Sequence, residues 1–151
     1  MMREYAFLLL RFVLASVFIA SGWEKAVSPS ENFLYILQAY EVLPSVLERL
    51  VSVVFPWVEL AVGVSLLVGL WLRAGLLAAT CVSGSFILIV GQAIIRRLPI
   101  DNCGCFGNLV HLPLRGVIFL DLALLTTAWI LSSNLAATSF FSLDRAAETR
   151  S

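Results

Sequence analysis

Four long apolar runs constrain this chain more than any other feature of its sequence. A helix rises about 1.5 Å per residue, so about 20 apolar residues cross the roughly 30 Å hydrocarbon layer of a membrane. Runs of that kind occupy approximately residues 5–22, 51–72, 74–95 and 116–135. The second and third runs are apolar all round, whereas helices of a soluble bundle keep a polar face. The pattern predicts an all-α fold, an integral membrane four-helix bundle.

Composition agrees with this prediction and excludes other classes of protein. Of the 151 residues, 60% are hydrophobic and 13% are charged, and ten basic residues balance ten acidic ones. A neutral chain without a basic patch is not a nucleic-acid binder, and the lipid bilayer is its first expected partner. We expect one membrane domain at residues 1–135, followed by a polar C-terminal tail at 136–151.

Two long connections between the predicted spans lie on the same side of the membrane. The first, at about 23–50, contains apolar residues at helical spacing over 31–40, which predicts a short interfacial helix ended by Pro44. An ordinary surface loop is the alternative. The second, at about 96–115, contains two cysteines. On the opposite side, the sequence predicts a tight hairpin turn around Arg73 between the second and third spans.

The sequence Cys103-Gly104-Cys105 is the most specific chemical signal in the chain. A disulfide between cysteines one residue apart is strained, and strain makes such a bond labile and suited to thiol–disulfide exchange. A static loop disulfide and a metal site formed by Cys103, Cys105 and His111 are the alternatives; the metal site lacks an obvious fourth ligand. Cys81, in the middle of the third span, is expected to be a small buried residue.

Basic residues are divided almost evenly between the two sides, so the positive-inside rule does not orient the chain. Paired loop cysteines favour an oxidising compartment. On this ground we expect the cysteine loop outside the cytoplasm and both termini inside.

Charged residues inside the predicted spans indicate a second candidate site. Glu59 and Asp121 lie at similar depths below the surface that carries the cysteine loop, and Lys25 ends the first span on that side. Lys25 could form a structural ion pair with Glu59. Alternatively, Lys25, Glu59, Asp121 and Trp57 could line a polar cavity for proton transfer or for a quinone. Arg11 is expected to extend towards the opposite interface.

Several short motifs, taken together, resemble one family of membrane proteins. The sequence resembles the methylamine-utilisation MauE family of the DoxX-like superfamily over nearly the whole chain up to about residue 135. The motifs are Arg11-x-x-Leu14-Ala15, Phe18, Ser21-Gly22-x-x-Lys25, Tyr40-x-x-Leu43-Pro44, Pro56-Trp57-x-Glu59-Leu60-x-x-Gly63, Cys103-Gly104-Cys105-Phe106-Gly107 and Arg115.

This resemblance implies a four-helix bundle of the bacterial inner membrane with its cysteine loop in the periplasm. It also implies thiol–disulfide exchange by Cys103 and Cys105 with a periplasmic thioredoxin-like partner or client protein, with quinone as a candidate electron carrier. The alternative is a non-catalytic membrane subunit that stabilises a larger redox complex with other membrane subunits, the cysteines then forming a structural staple.

Overall fold

The computed structural model describes residues 2–98, 114–139 and 142. In these residues the chain forms helices α1 (Met2–Val27), α2 (Ser30–Tyr40), α3 (Ser45–Val68), α4 (Leu72–Ile95), α5 (Leu114–Ser133) and α6 (Leu135–Thr138).

Helices α1, α3, α4 and α5 are each long and apolar enough to cross a membrane. The most extensive packing joins α1 to α3 and α4 to α5, and further contacts between α3 and α4 and between α1 and α5 unite the four helices. The prediction of an all-α membrane four-helix bundle is therefore confirmed.

The boundaries of α3 differ from the sequence prediction at both ends. The helix begins at Ser45, six residues before the predicted start, because Pro44 adopts an extended backbone and acts as the N-cap. It ends at Gly69, whose left-handed φ of 72° stops the helix. The predicted tight hairpin between α3 and α4 is present, but its turn occupies residues 69–71, and Arg73 lies in the first turn of α4.

Helix α2 closely matches the short helix predicted over 31–40. Its Phe33 and Tyr40 side chains are buried, and the helix packs mainly against α3 and also against α1 and α4. It ends at Glu41, whose φ of 50° is left-handed. Helix α2 therefore lies against one end of the bundle, on the side from which the segment with the cysteines extends.

The buried apolar residues form two clusters along the bundle. The larger is centred on Leu14, Leu66 and Leu76, and the smaller joins Val90 and Ala93 to residues of α2 and α5. Large apolar side chains are also abundant on the outer surface, as expected for helices that face lipid. Cys81 is on this exposed face of α4, so the expectation that it is buried is wrong. The face of α4 that turns inward carries small residues such as Ala79 and Ser83 instead.

The end of the bundle opposite α2 is closed by residues that follow α5. Arg11 is only 1% exposed, and its Nη1 atom donates a hydrogen bond to the carbonyl oxygen of Thr138, 2.9 Å away. Ser142 is buried against Gly69. Arg11 therefore extends towards this end, as predicted, but it is covered by the chain rather than exposed at the interface.

Candidate polar site inside the bundle

A buried polar network joins α1 to α3 in the half of the bundle nearer α2. Ser21 and Lys25 are four residues apart on α1 and therefore share one face of the helix. Glu59 of α3 lies opposite them. The side chains of Lys25 and Glu59 are 1% and 3% exposed, so the pair has almost no contact with the surroundings of the bundle.

The three side chains form a closed set of hydrogen bonds. The Lys25 Nζ atom donates to Glu59 Oε2 at 2.8 Å and to Ser21 Oγ at 2.6 Å. Ser21 Oγ in turn donates to Glu59 Oε1 at 3.1 Å. Both carboxylate oxygens of Glu59 are thus satisfied by α1, which is what a buried ion pair needs to offset its desolvation. The ion pair that the sequence allowed between Lys25 and Glu59 is present.

Two glycines bring α1 and α3 close enough for this contact. A Cβ atom on Gly22 would lie 2.8 Å from the backbone nitrogen of Leu60 and 2.9 Å from the carbonyl oxygen of Pro56. A Cβ atom on Gly63 would lie 2.7 Å from Cγ1 of Ile19. Small residues allow such close packing of helices in membranes. Each helix therefore carries a polar residue of the contact together with a nearby glycine, in Ser21-Gly22 on α1 and in Glu59-x-x-x-Gly63 on α3. The glycines allow the two helices to approach closely enough for the polar side chains to meet.

Aromatic rings from three helices surround the ammonium group of Lys25. Its Nζ atom lies 5.6 Å from the ring centroid of Phe33 and 5.7 Å from that of Phe86. Phe55 bridges these two rings, stacked on Phe33 at 6.1 Å and edge-to-face with Phe86 at 5.5 Å between centroids. Cation–π contacts of this kind stabilise a desolvated cation. Helix α2 contributes Phe33 and so helps to enclose the ion pair.

Asp121 of α5 lies beside this network and completes the site. It is 5% exposed, and it shares with Ser21, Glu59 and Ser83 the wall of a cavity of about 30 Å³. Its Oδ2 atom accepts no hydrogen bond from the described part of the chain. Glu59 and Asp121, which residue counting placed at similar depths, thus line one cavity.

Tyr40, the last residue of α2, lies near Asp121 of the polar site. Burial raises the pKa of the Tyr40 phenol to about 12, and negative charge on Asp121 acts in the same direction. The Tyr40 carbonyl oxygen accepts a hydrogen bond from Gln92 Nε2 at 2.9 Å, and Glu41 forms an exposed ion pair with Arg96 at 2.8 Å. These contacts fix the end of α2 against the end of α4, immediately before the segment that carries the cysteines.

The other predicted site residues are not part of this network. Trp57 is 63% exposed on the outer face of α3 and does not line the cavity. Cys103, Cys105 and His111 lie outside the described residues, so the predictions about them stay predictions. Within the described ranges, no three His, Cys, Asp or Glu side chains are grouped to hold a metal ion.

Sequence reasoning did not single out several residues that complete the site. Phe55 and Phe86 were not predicted; Phe33 belonged only to the apolar pattern of the short helix, Ser83 only to the small residues of the third span, and Ser21 only to a motif. The spacing of Ser21 and Lys25 was the available signal, because residues four apart on a helix meet. The aromatic residues gave no such signal, since phenylalanine is common throughout apolar spans.

The fold and the site define a four-span helical membrane protein with a lysine–carboxylate network buried in one half of its bundle. The family model described as "Methylamine utilisation protein MauE" matches residues 3–133. Over 129 residues the chain is 30% identical to the methylamine utilization protein MauE of Paracoccus denitrificans, covering 85% of this chain and 69% of that protein. The chain belongs to the MauE family, as its motifs indicated. No solved structure gives a significant match.

Proposed function

We propose that this protein is a membrane thiol–disulfide exchange protein that serves methylamine utilisation. Membership of the MauE family supports the metabolic context. The exchange role rests on Cys103-Gly104-Cys105, the two cysteines of the connection between α4 and α5. The proposed partner is a thioredoxin-like or client protein in the periplasm.

One observation about the described helices carries this proposal. Val90 and Ala93 near the end of α4 pack in one buried cluster with Val117 near the start of α5 and with Tyr40 of α2. Both ends of the 15-residue segment 99–113 are therefore attached to one packed platform. A loop whose two ends are positioned by a rigid scaffold is a typical place for reactive residues.

The proposed exchange needs no reactant besides a partner disulfide or dithiol. In one direction, a thiolate of the pair attacks a partner disulfide, forms a mixed disulfide and releases one partner thiolate. The second cysteine then attacks the mixed disulfide, which yields the Cys103–Cys105 disulfide and a fully reduced partner. Two electrons move to the partner, and the reverse sequence moves them back. The reduction potentials of the two pairs set the direction.

The orientation of the protein in the membrane is part of the proposed function, whereas quinone binding stays a prediction. The protein is proposed to lie in the bacterial inner membrane, with cytoplasmic termini and a periplasmic cysteine loop, because paired loop cysteines form disulfides that persist in oxidising compartments. Quinone binding near Lys25, Glu59, Asp121 and Trp57 stays a prediction. The cavity of about 30 Å³ suits water-sized molecules, so a quinone ring would require its lining side chains to move.

A trapping experiment tests the proposal in cells. The protein carries three cysteines, so a Cys81→Ser background leaves only the proposed pair. Adding Cys105→Ser or Cys103→Ser to this background should accumulate a mixed disulfide with a partner, visible as a shifted band that reductant removes. Reversible gel shifts after alkylation should show that the intact pair changes redox state, and a membrane-impermeant maleimide should label it in spheroplasts.

Two results would contradict the proposal. A pair that stays oxidised under mild reductant, with no adduct in either single variant, would favour the structural staple of a non-catalytic membrane subunit. Labelling by the impermeant reagent only in inside-out vesicles would place the cysteines in the cytoplasm and reverse the orientation.

A further inference from the structure

The cavity beside Glu59 lies between charged groups that do not balance. Its polar lining consists of Ser21, Glu59, Ser83 and Asp121, and the other lining residues are apolar side chains of α1, α4 and α5. A volume of about 30 Å³ is enough for one or two water molecules, since one needs roughly 10–15 Å³. The cavity is therefore a small chamber inside the membrane region, with mostly apolar walls and four polar side chains.

The positive charge of Lys25, beside this chamber, is already balanced by Glu59. Lys25 Nζ lies 2.8 Å from Glu59 Oε2 and 2.6 Å from Ser21 Oγ, and two aromatic rings cover it. Lys25 and Glu59 compensate each other, and Asp121 receives no hydrogen bond at Oδ2 from the described residues. An ionised Asp121 would therefore add an uncompensated negative charge to the interior.

Among the described residues, no other group that faces Asp121 supplies a positive charge. Helix α1 contributes Lys25, α3 contributes Glu59, and α2 contributes the Tyr40 phenol, which is neutral at physiological pH. Helix α4 contributes Ser83 as its polar side chain in the cavity wall. The three groups Lys25, Glu59 and Asp121 thus carry two potential negative charges and one positive charge.

We propose that the chamber is a proton-binding site in which Asp121 holds one exchangeable proton and, through it, donates a hydrogen bond to water in the cavity. Binding this proton makes the three-residue cluster neutral, because Lys25 keeps its positive charge and Glu59 its negative one. A neutral carboxylic acid is far less costly in a membrane than an unpaired carboxylate. The protonated acid also becomes a hydrogen-bond donor, which suits a site whose lining offers mainly oxygen acceptors.

This site can exchange its proton only when the cavity communicates with water. Release of the proton leaves a net negative charge, so any change that admits water or adds positive charge near Asp121 promotes release. Uptake restores the neutral cluster. Proton binding by Asp121 does not depend on the thiol–disulfide exchange proposed above, and separate measurements test the two proposals.

Infrared spectroscopy with labelled aspartate tests the proposal on the full chain in lipid nanodiscs. The sequence holds three aspartates, so ¹³C-carboxyl labelling of aspartate produces few bands. At neutral pH the spectrum should contain a protonated-carboxyl band that shifts in D₂O. Asp121→Asn should remove this band, and the matched control Asp144→Asn should leave it unchanged. Replacing Na⁺ by K⁺ should have no effect.

A second variant tests the charge balance directly. Lys25→Met removes the positive charge that stabilises ionised Glu59. With ¹³C-labelled glutamate, this variant should show a new protonated-carboxyl band at neutral pH, and Lys25→Met/Glu59→Gln should lack it.

Three results would overturn the proposal. The first is a wild-type spectrum in which every aspartate is ionised at neutral pH. The second is an aspartic-acid band that appears only after Na⁺ is removed, which would identify a bound cation instead of a proton. The third is a Lys25→Met spectrum with no new glutamic-acid band. The first two use the unmodified protein, so they do not depend on the folding of a variant.

Discussion

The buried ion pair of Lys25 and Glu59 allows us to predict how substitutions change the free energy of unfolding. Lys25→Met removes the ammonium group but keeps a flexible apolar side chain of similar length. Glu59→Gln removes the negative charge but keeps the shape of the carboxylate. Each single variant leaves one partner buried without the counter-charge that contacts it directly, whereas the double variant removes both charges. We therefore expect the double variant to be more stable than the sum of the single effects indicates.

The size of the effect follows from the geometry. Unit charges 2.8 Å apart attract by about 6 kcal/mol at an effective dielectric constant of about 20. Desolvation of both groups offsets much of this attraction, and removing one partner of such a pair typically costs about 3–5 kcal/mol. Proton uptake by Glu59 limits the loss in Lys25→Met, and ionisation of Asp121 near Lys25 limits the loss in Glu59→Gln. We expect each single variant to lose about 3 kcal/mol and the coupling free energy to be about 2–3 kcal/mol.

Unfolding by sodium dodecyl sulfate in mixed micelles, followed by circular dichroism, measures these free energies. The exposed pair of Glu41 and Arg96 provides a matched control, because its N–O distance is also 2.8 Å but its side chains are 61% and 46% exposed. Its double-mutant cycle, with Glu41→Gln and Arg96→Met, should give under about 1 kcal/mol. Additive losses at Lys25 and Glu59, or equal couplings for the two pairs, would refute the reasoning.

Three further predictions concern helix packing, the hairpin turn and pH. Gly22→Ala places a methyl group 2.8 Å from the α3 backbone and should cost about 1–3 kcal/mol in the same unfolding assay, whereas Gly84→Ala, with no atom within 4 Å, should be neutral or slightly stabilising. Gly69→Ala combines a positive φ with a new Cβ atom only 2.6 Å from the Cβ atom of Ser142. Unlike Gly84→Ala, it should lower the free energy of unfolding by about 1–3 kcal/mol. Burial raises the pKa of Tyr40 to about 12, whereas tyrosine in the unfolded chain has a pKa near 10, so the stability that this shift contributes is complete below pH 10 and is lost as pH rises through 12. Between pH 10 and 12, Tyr40→Phe should therefore lose less stability than the wild type. Parallel pH profiles of the two proteins would contradict this.

The sequence was most informative where a single physical requirement determined the pattern. The apolar runs predicted four spans because a helix in lipid must be apolar over the membrane thickness. Residue counting brought Glu59 and Asp121 to similar depths because the rise per residue of a helix is constant. The contact of Lys25 with Glu59 followed from the same counting.

Other features depended on local backbone conformation that the sequence pattern did not reveal. The turn after α3 was assigned to the polar Arg73, but the left-handed Gly69 ends that helix four residues earlier. Cys81 was expected to be buried, because periodicity carries no information about the inward face when a span is apolar all round. The aromatic enclosure of Lys25 needed three helices to come together, so no local pattern predicted it.

The bond between Arg11 and Thr138 has a consequence for how the protein is made. The two residues are 127 positions apart, and the ribosome adds roughly 5–20 residues per second. Several seconds or more therefore pass between the synthesis of Arg11 and that of the carbonyl oxygen that accepts its hydrogen bond. During that interval a location near the membrane surface costs the guanidinium least free energy. Final placement of the first span is thus expected to be a late event in biogenesis, completed only when the residues after the fourth span have emerged.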